Sequence, residues 1–127
     1  MKALTKRLQI AINEGAWGYS PQDSDLYLDT RDELVDKLFA NIVDLLKSED
    51  SNTIWSGVGL AIEFSTMLKD IIYYSDVKTL DTVLLPAINK LNGDTEWQNT
   101  WDNPEEMLNS IKNAQKSWSA IKTQHPQ

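Results

Sequence analysis

The chain has no cysteine and a single histidine among its 127 residues. The first absence removes disulfides, thiolate metal sites and cysteine nucleophiles together, and it fits a reducing compartment. The second leaves almost no general base. His125 stands beside Pro126 in a stretch, residues 123–127, that reads as a frayed tail. A catalytic base needs a held geometry, which such a tail does not supply. A Ser/His/Asp triad, a zinc site and the Glu-x-x-His pairs of a helical di-iron centre therefore lack their residues. Long apolar runs are missing too. The most apolar segment, residues 54–72, is interrupted by Glu63, Lys69 and Asp70, whereas a membrane span needs about 20 mostly apolar residues. The N-terminal Lys2, Lys6 and Arg7 are followed too soon by Asn13 and Glu14 for a signal peptide. The expectation is a cytoplasmic chain that forms one domain over residues 1–127.

Bases are also scarce: 12 Lys and Arg stand against 19 Asp and Glu, a net charge of −7. Residues 14–50 hold ten of the acids and three of the bases, so this one stretch carries the whole excess, and the remainder balances at nine against nine. Such a field repels nucleic acid and membrane phosphates and attracts a basic surface. The same acidity also serves solubility alone.

What is present is helical periodicity. Leu4, Leu8, Ala11 and Ile12 recur at one-face spacing, and Gly15 follows as a stop. Thr30-Arg31-Asp32-Glu33 reads as a capping box, with Thr30 as N-cap and Glu33 at N3. The apolar stripe Leu34, Val35, Leu38, Phe39, Ile42, Val43, Leu46 comes after it. A third helix is predicted over about residues 53–74, apolar nearly all round and so central, with Gly57 and Gly59 letting a neighbour come close. A fourth covers about residues 77–91, with the stripe Val77, Leu80, Leu84, Ile88, Leu91 plus Val83 and Ala87, and is kinked or split near Leu85 by Pro86. The last begins with Asn103 as N-cap, Pro104 at N1 and Glu106 at N3, and carries Met107, Ile111, Ala114, Trp118 and Ile121 on one face. No period-two run and no internal repeat appears. The predicted fold is all-α, about five helices in a bundle or orthogonal array.

The carboxylates offer limited chemistry. Asp29-x-x-Asp32 and Glu33-x-x-Asp36 place acids three apart near a helix start. All-helical nucleotide pyrophosphatases use two such pairs to hold magnesium, and here no well-placed second motif exists. Asp23-x-Asp25 opens like a calcium loop, but Tyr27, Leu28 and Leu34 occupy the positions that need a ligand, glycine and glutamate. Glu63 reads as a rim carboxylate. No cofactor, metal or catalytic residue is expected, and the chain is not expected to be an enzyme.

Two segments stand apart. Residues 15–29 interleave Trp17, Tyr19 and Tyr27 with Asp23, Asp25 and Asp29; residues 94–103 set Trp97 and Trp101 among Asp94, Glu96 and Asp102. Aromatics of this kind anchor interfaces, and acids around them steer a basic partner. The alternative is that the rings fold inward and plug the ends of the bundle, their N–H groups finding carbonyls. Trp55 and Trp118, on apolar stripes, read as core. The predicted contact surface is Trp17, Tyr19, Asp23, Asp25, Tyr27, Asp29, Asp32 and Asp36.

In size, acidity and helical content over its whole length, the chain resembles the helical immunity proteins of colicin and contact-dependent growth inhibition systems. The resemblance rests on no motif. It implies a bacterial, cytoplasmic inhibitor that neutralises a basic, nuclease-like toxin domain, with no nucleic acid or membrane partner. Two other readings stay open: a magnesium-dependent all-α phosphohydrolase using Asp29, Asp32, Glu33 and Asp36, and an adaptor of a phage or secretion system that works by self-association.

Overall fold

The structure, a computed structural model, describes residues 24–125. These residues form five α-helices and no strand, so the fold is all-α: α1 (Asp25–Leu46), α2 (Ser51–Met67), α3 (Tyr74–Gly93), α4 (Thr95–Gln98) and α5 (Pro104–Gln124). Five is also the predicted number, but the membership differs. The helix predicted around residues 4–12 lies outside the described residues, and α4 occupies a segment that reads as loop. The chain divides into two compact units, Met1–Lys37 and Leu38–Gln127, with the boundary inside α1.

In the first unit, α1 begins five residues before the predicted cap. Ser24 accepts the Tyr27 N–H at 3.0 Å, the bond of an N-cap. Thr30 is consequently an interior residue, and its hydroxyl donates to the Leu26 carbonyl at 2.7 Å. That back-bonding is the alternative use of a helical threonine.

In the second unit, α2, α3 and α5 pack pairwise on one another and α4 bridges α3 and α5. The predicted stripes supply most of the core, although Leu34 at the start of the α1 stripe is exposed and Val43 is half-buried. Leu38, Phe39, Ile42 and Leu46 of α1 are buried, as are Ile54, Val58, Ala61 and Phe64 of α2. So are Val77, Leu80, Leu84, Ile88 and Leu91 of α3, and Met107, Ile111, Trp118 and Ile121 of α5. The Trp118 indole donates to Asp81 Oδ1 at 2.8 Å, and Lys122 pairs with the same oxygen at 3.3 Å, joining α3 to α5 beside the core.

The α1–α2 turn is tied at both ends. Asp50 caps α2 by accepting the Thr53 N–H at 3.0 Å. Lys90 reaches from the last turn of α3 to the Ser48 and Glu49 carbonyls at 3.4 and 3.2 Å. Gly57 is the point of close approach: a Cβ there would stand 3.0 Å from Leu45 Cβ and 3.2 Å from Leu46 Cδ2. Gly59 has nothing within 4 Å, so it is exposed surface and not a packing glycine.

Other helix limits also differ from expectation. α2 stops at Met67, seven residues early, and a turn follows before α3 restarts at Tyr74. Asp76 secures the restart by accepting the Tyr73 N–H at 2.8 Å. α3 also runs through Pro86 without a break. Pro86 and Thr82, the residue whose carbonyl loses its partner, are both exposed, so water can take that carbonyl. α5 starts as predicted: Asn103 Oδ1 accepts the Glu105 and Glu106 N–H groups at 3.1 and 3.3 Å, with Pro104 in the first turn. It continues to Gln124, into the stretch predicted to fray.

Candidate functional site

The second aromatic segment becomes one wall of a groove in the second unit. Asp94 organises it. Its carboxylate accepts the Trp97 N–H at 3.1 Å, which caps α4, and also the Ser51 hydroxyl at the start of α2. The Ser51 hydroxyl, then the Trp97 amide, hold the Asp94 carboxyl below its ordinary value of 3.8; partial burial opposes them and the Lys90 charge adds to them. Gln98 fixes the other side of the one-turn helix. Its side chain is buried and donates to the Leu91 and Asn92 carbonyls at 2.8 and 2.9 Å, closing the end of α3. No sequence signal marked Gln98, because its partners are ordinary backbone carbonyls.

This clamp sorts the two tryptophans. Trp97 is turned inward, 6 % exposed, and its indole donates to Asn52 Oδ1 at 2.9 Å. For this ring the inward-plugging reading holds. Trp101 is 41 % exposed. The chain reaches it through a turn in which the Trp101 N–H bonds the Gln98 carbonyl and the Thr100 hydroxyl bonds the Trp97 carbonyl. Trp55 corrects its predicted core role: it is only half-buried. Helical phase explains this, since at about 100° per residue Trp55 falls on the flank of the buried line Ile54, Val58, Ala61. The edges and faces of the three indoles meet. Trp55 and Trp97 have centroids 6.3 Å apart at 62°, and Trp97 and Trp101 6.1 Å apart at 84°. Both are T-shaped contacts of the favourable kind.

Trp55 and Trp101 line a groove of about 330 Å³, together with Met107, Asn103, Ser110 and the carboxylates Asp102 and Glu106. Among the described residues, neither carboxylate makes an ion pair and neither of these two indole N–H groups has a hydrogen-bond acceptor. Trp97 also lines a second concavity with Glu49, Asp50, Asp94 and Glu96. Part of this acidity has a structural use, because Glu105 and Glu106 occupy the first turn of α5 and complement its dipole. The predicted charge balance outside residues 14–50 also depends on Lys2, Lys6 and Arg7, which lie outside the described residues. Residues 51–125 alone carry nine acids against six lysines.

The predicted contact residues are split. Trp17, Tyr19 and Asp23 lie outside the described residues. Asp25, Asp29, Asp32 and Asp36 fall at spacings of four, three and four on α1, and so form a single stripe. Asp25, Asp29 and Asp36 are exposed, while Asp32 is half-buried with Arg31 at 3.2 Å. Tyr27 departs from them: its spacing puts it on the opposite side of α1, so ring and acids do not share a face. Among the described residues no three His, Asp or Glu side chains converge to hold a metal, and the acids offered to magnesium form no such group. No helix among the described residues is long and apolar enough to cross a membrane.

No protein-family model, curated protein or solved structure matches the chain. What remains is the chemistry of these surfaces: indoles in edge-to-face contact beside the carboxylates Asp102 and Glu106, and the acidic stripe of α1.

Proposed function

We propose that the chain is an immunity-type inhibitor, a cytoplasmic binding protein that covers and neutralises a basic, nuclease-like toxin domain. The observation that carries this reading is the acidic stripe of α1, where Asp25, Asp29, Asp32 and Asp36 lie on one face of a continuous helix. A stripe of like charge attracts a basic surface, raises the association rate and blocks the lysines and arginines that would otherwise grip phosphates. The aromatic groove of the second unit supports the same reading, since tryptophan is among the commonest interface hot spots.

The test is capture of partners from the source cell's lysate with the purified chain as bait, at low and then high salt. A basic protein retained at low salt and released by salt is the expected result, and its loss of nuclease activity on binding completes the case. Changing Asp25, Asp29 and Asp36 together to Lys should slow association with that protein while circular dichroism stays unchanged. Undiminished association of the triple variant would remove the α1 stripe from the interface.

A further inference from the structure

The groove between Trp55 and Trp101 has features the α1 stripe lacks. Its walls are indole rings; Trp97 meets both rings edge to face, so they are held in place without having to be ordered by a ligand. Its rim holds two carboxylates without ion-pair partners among the described residues. At about 330 Å³ it sits at the low end of ligand pockets, suited to one long side chain.

We infer that this groove is the seat of a single arginine side chain from the basic partner, its guanidinium packed on Trp55 or Trp101 and bonded to Asp102 and Glu106. The inference rests on the reading of the chain as a cover for a basic protein and gives that reading a specific contact. The chemistry selects arginine. A guanidinium is planar, stacks on aromatic faces and presents paired donors that match a carboxylate, whereas an ammonium is a strongly hydrated point charge. Met107 supplies a polarizable lining for the methylene stem.

The experiment is a titration of the full chain, labelled with nitrogen-15, with three blocked tripeptides carrying arginine, lysine or citrulline at the centre. The indole N–H resonances are followed by nuclear magnetic resonance. The arginine peptide should move the Trp55 and Trp101 signals together and saturably. The lysine peptide should bind more weakly, and the isosteric but neutral citrulline peptide should leave the signals in place. Trp101→Ala should abolish the response. Trp101 is 41 % exposed and lies outside the buried core, so this variant should keep its fold, and an unchanged Trp118 indole signal verifies that. Glu106→Gln should weaken binding about 5–10-fold, the loss of one charge-assisted contact. Citrulline or lysine binding as tightly as arginine would overturn the assignment. So would movement of the same signals on concentrating the chain alone, which would place a second copy in the groove. Capture of a basic protein with both indoles unmoved would overturn the groove assignment and leave the inhibitor reading intact. Arginine binding with no protein captured would do the reverse.

Discussion

Gly57 and Gly59 lie two residues apart in α2, and the same substitution should act on them with opposite sign. Alanine is favoured over glycine inside a helix by about 1 kcal/mol, through backbone entropy alone. At Gly59 nothing lies within 4 Å of the new methyl group, so Gly59→Ala should gain close to that full amount. At Gly57 the methyl would meet Leu45 Cβ at 3.0 Å and Leu46 Cγ at 3.3 Å, inside the ~3.5–4.0 Å of an optimal carbon contact. Leu45 Cβ is fixed to the backbone and cannot swing aside, so α1 and α2 must separate. Overpacking of this kind costs about 1–3 kcal/mol. Set against the propensity gain, Gly57→Ala should lose up to about 2 kcal/mol. The two variants should thus differ by about 1–3 kcal/mol, at roughly 4 °C of melting temperature per kcal/mol for a chain of this length. Urea unfolding followed by circular dichroism measures both, and an unchanged m-value shows that the unfolded state is the same. Equal stabilisation by both substitutions would refute the close approach of α1 and α2 at Gly57.

Gln98→Ala should destabilise by about 1–3 kcal/mol, because the part-buried Asn92 carbonyl loses its donor and the Leu91 carbonyl keeps only the Asp94 N–H at 3.3 Å. Gln98→Glu should be worse at neutral pH and recover partly on acidification, as a protonated carboxyl regains one donor; both are read by thermal melts at two pH values. Ser65 is fully buried and its hydroxyl has no partner among the described residues, so Ser65→Ala should be neutral or stabilising by about 1 kcal/mol in a urea melt. A loss of stability would mean that the hydroxyl is bonded. Asp94 has its folded pKa below the unfolded 3.8. Its contribution is therefore present above that value and is lost as pH falls through the lower folded one. An acid titration of stability should be flatter in this range for Asp94→Asn than for the parent chain, and identical curves would exclude Asp94 as the source.

The parts of the fold that were legible in the sequence are those decided locally. Asn103-Pro104 with Glu106 is a complete start signal within four residues, and α5 begins there. The stripes of α3 and α5 sit at one-face spacing and are buried as read, except for Val83 and Ala114 at their flanks, which are half-buried. The end of α2 was hidden because Leu68, Ile71 and Ile72 continue the helical spacing across the turn, and the apolar pattern does not reveal that the backbone has changed. Thr30 offered a complete capping box, but Ser24 supplied an earlier cap, and local signals do not rank two valid starts. At the groove, composition located the aromatics and acids of residues 94–103 but could not sort them. The burial of Trp97 is decided by Asn52, 45 positions away, and the exposure of Trp101 by a turn that depends on Gln98. Trp55 was legible in principle, since its phase sets it beside the buried line of α2 and not on it.

The edge-to-face indoles also have an optical consequence. Three chromophores held near contact and steeply inclined to one another couple their electronic transitions, so the end of the second unit should write its own signature into the far-ultraviolet dichroism. Apparent helicity from that spectrum would then change when the Trp97 contact is lost, even with every helix intact. Excitation absorbed by the inward ring passes readily to its neighbours. A quencher that reaches only Trp101 should therefore dim all three, and the emission of this chain should follow the state of the groove more closely than an average over its five tryptophans.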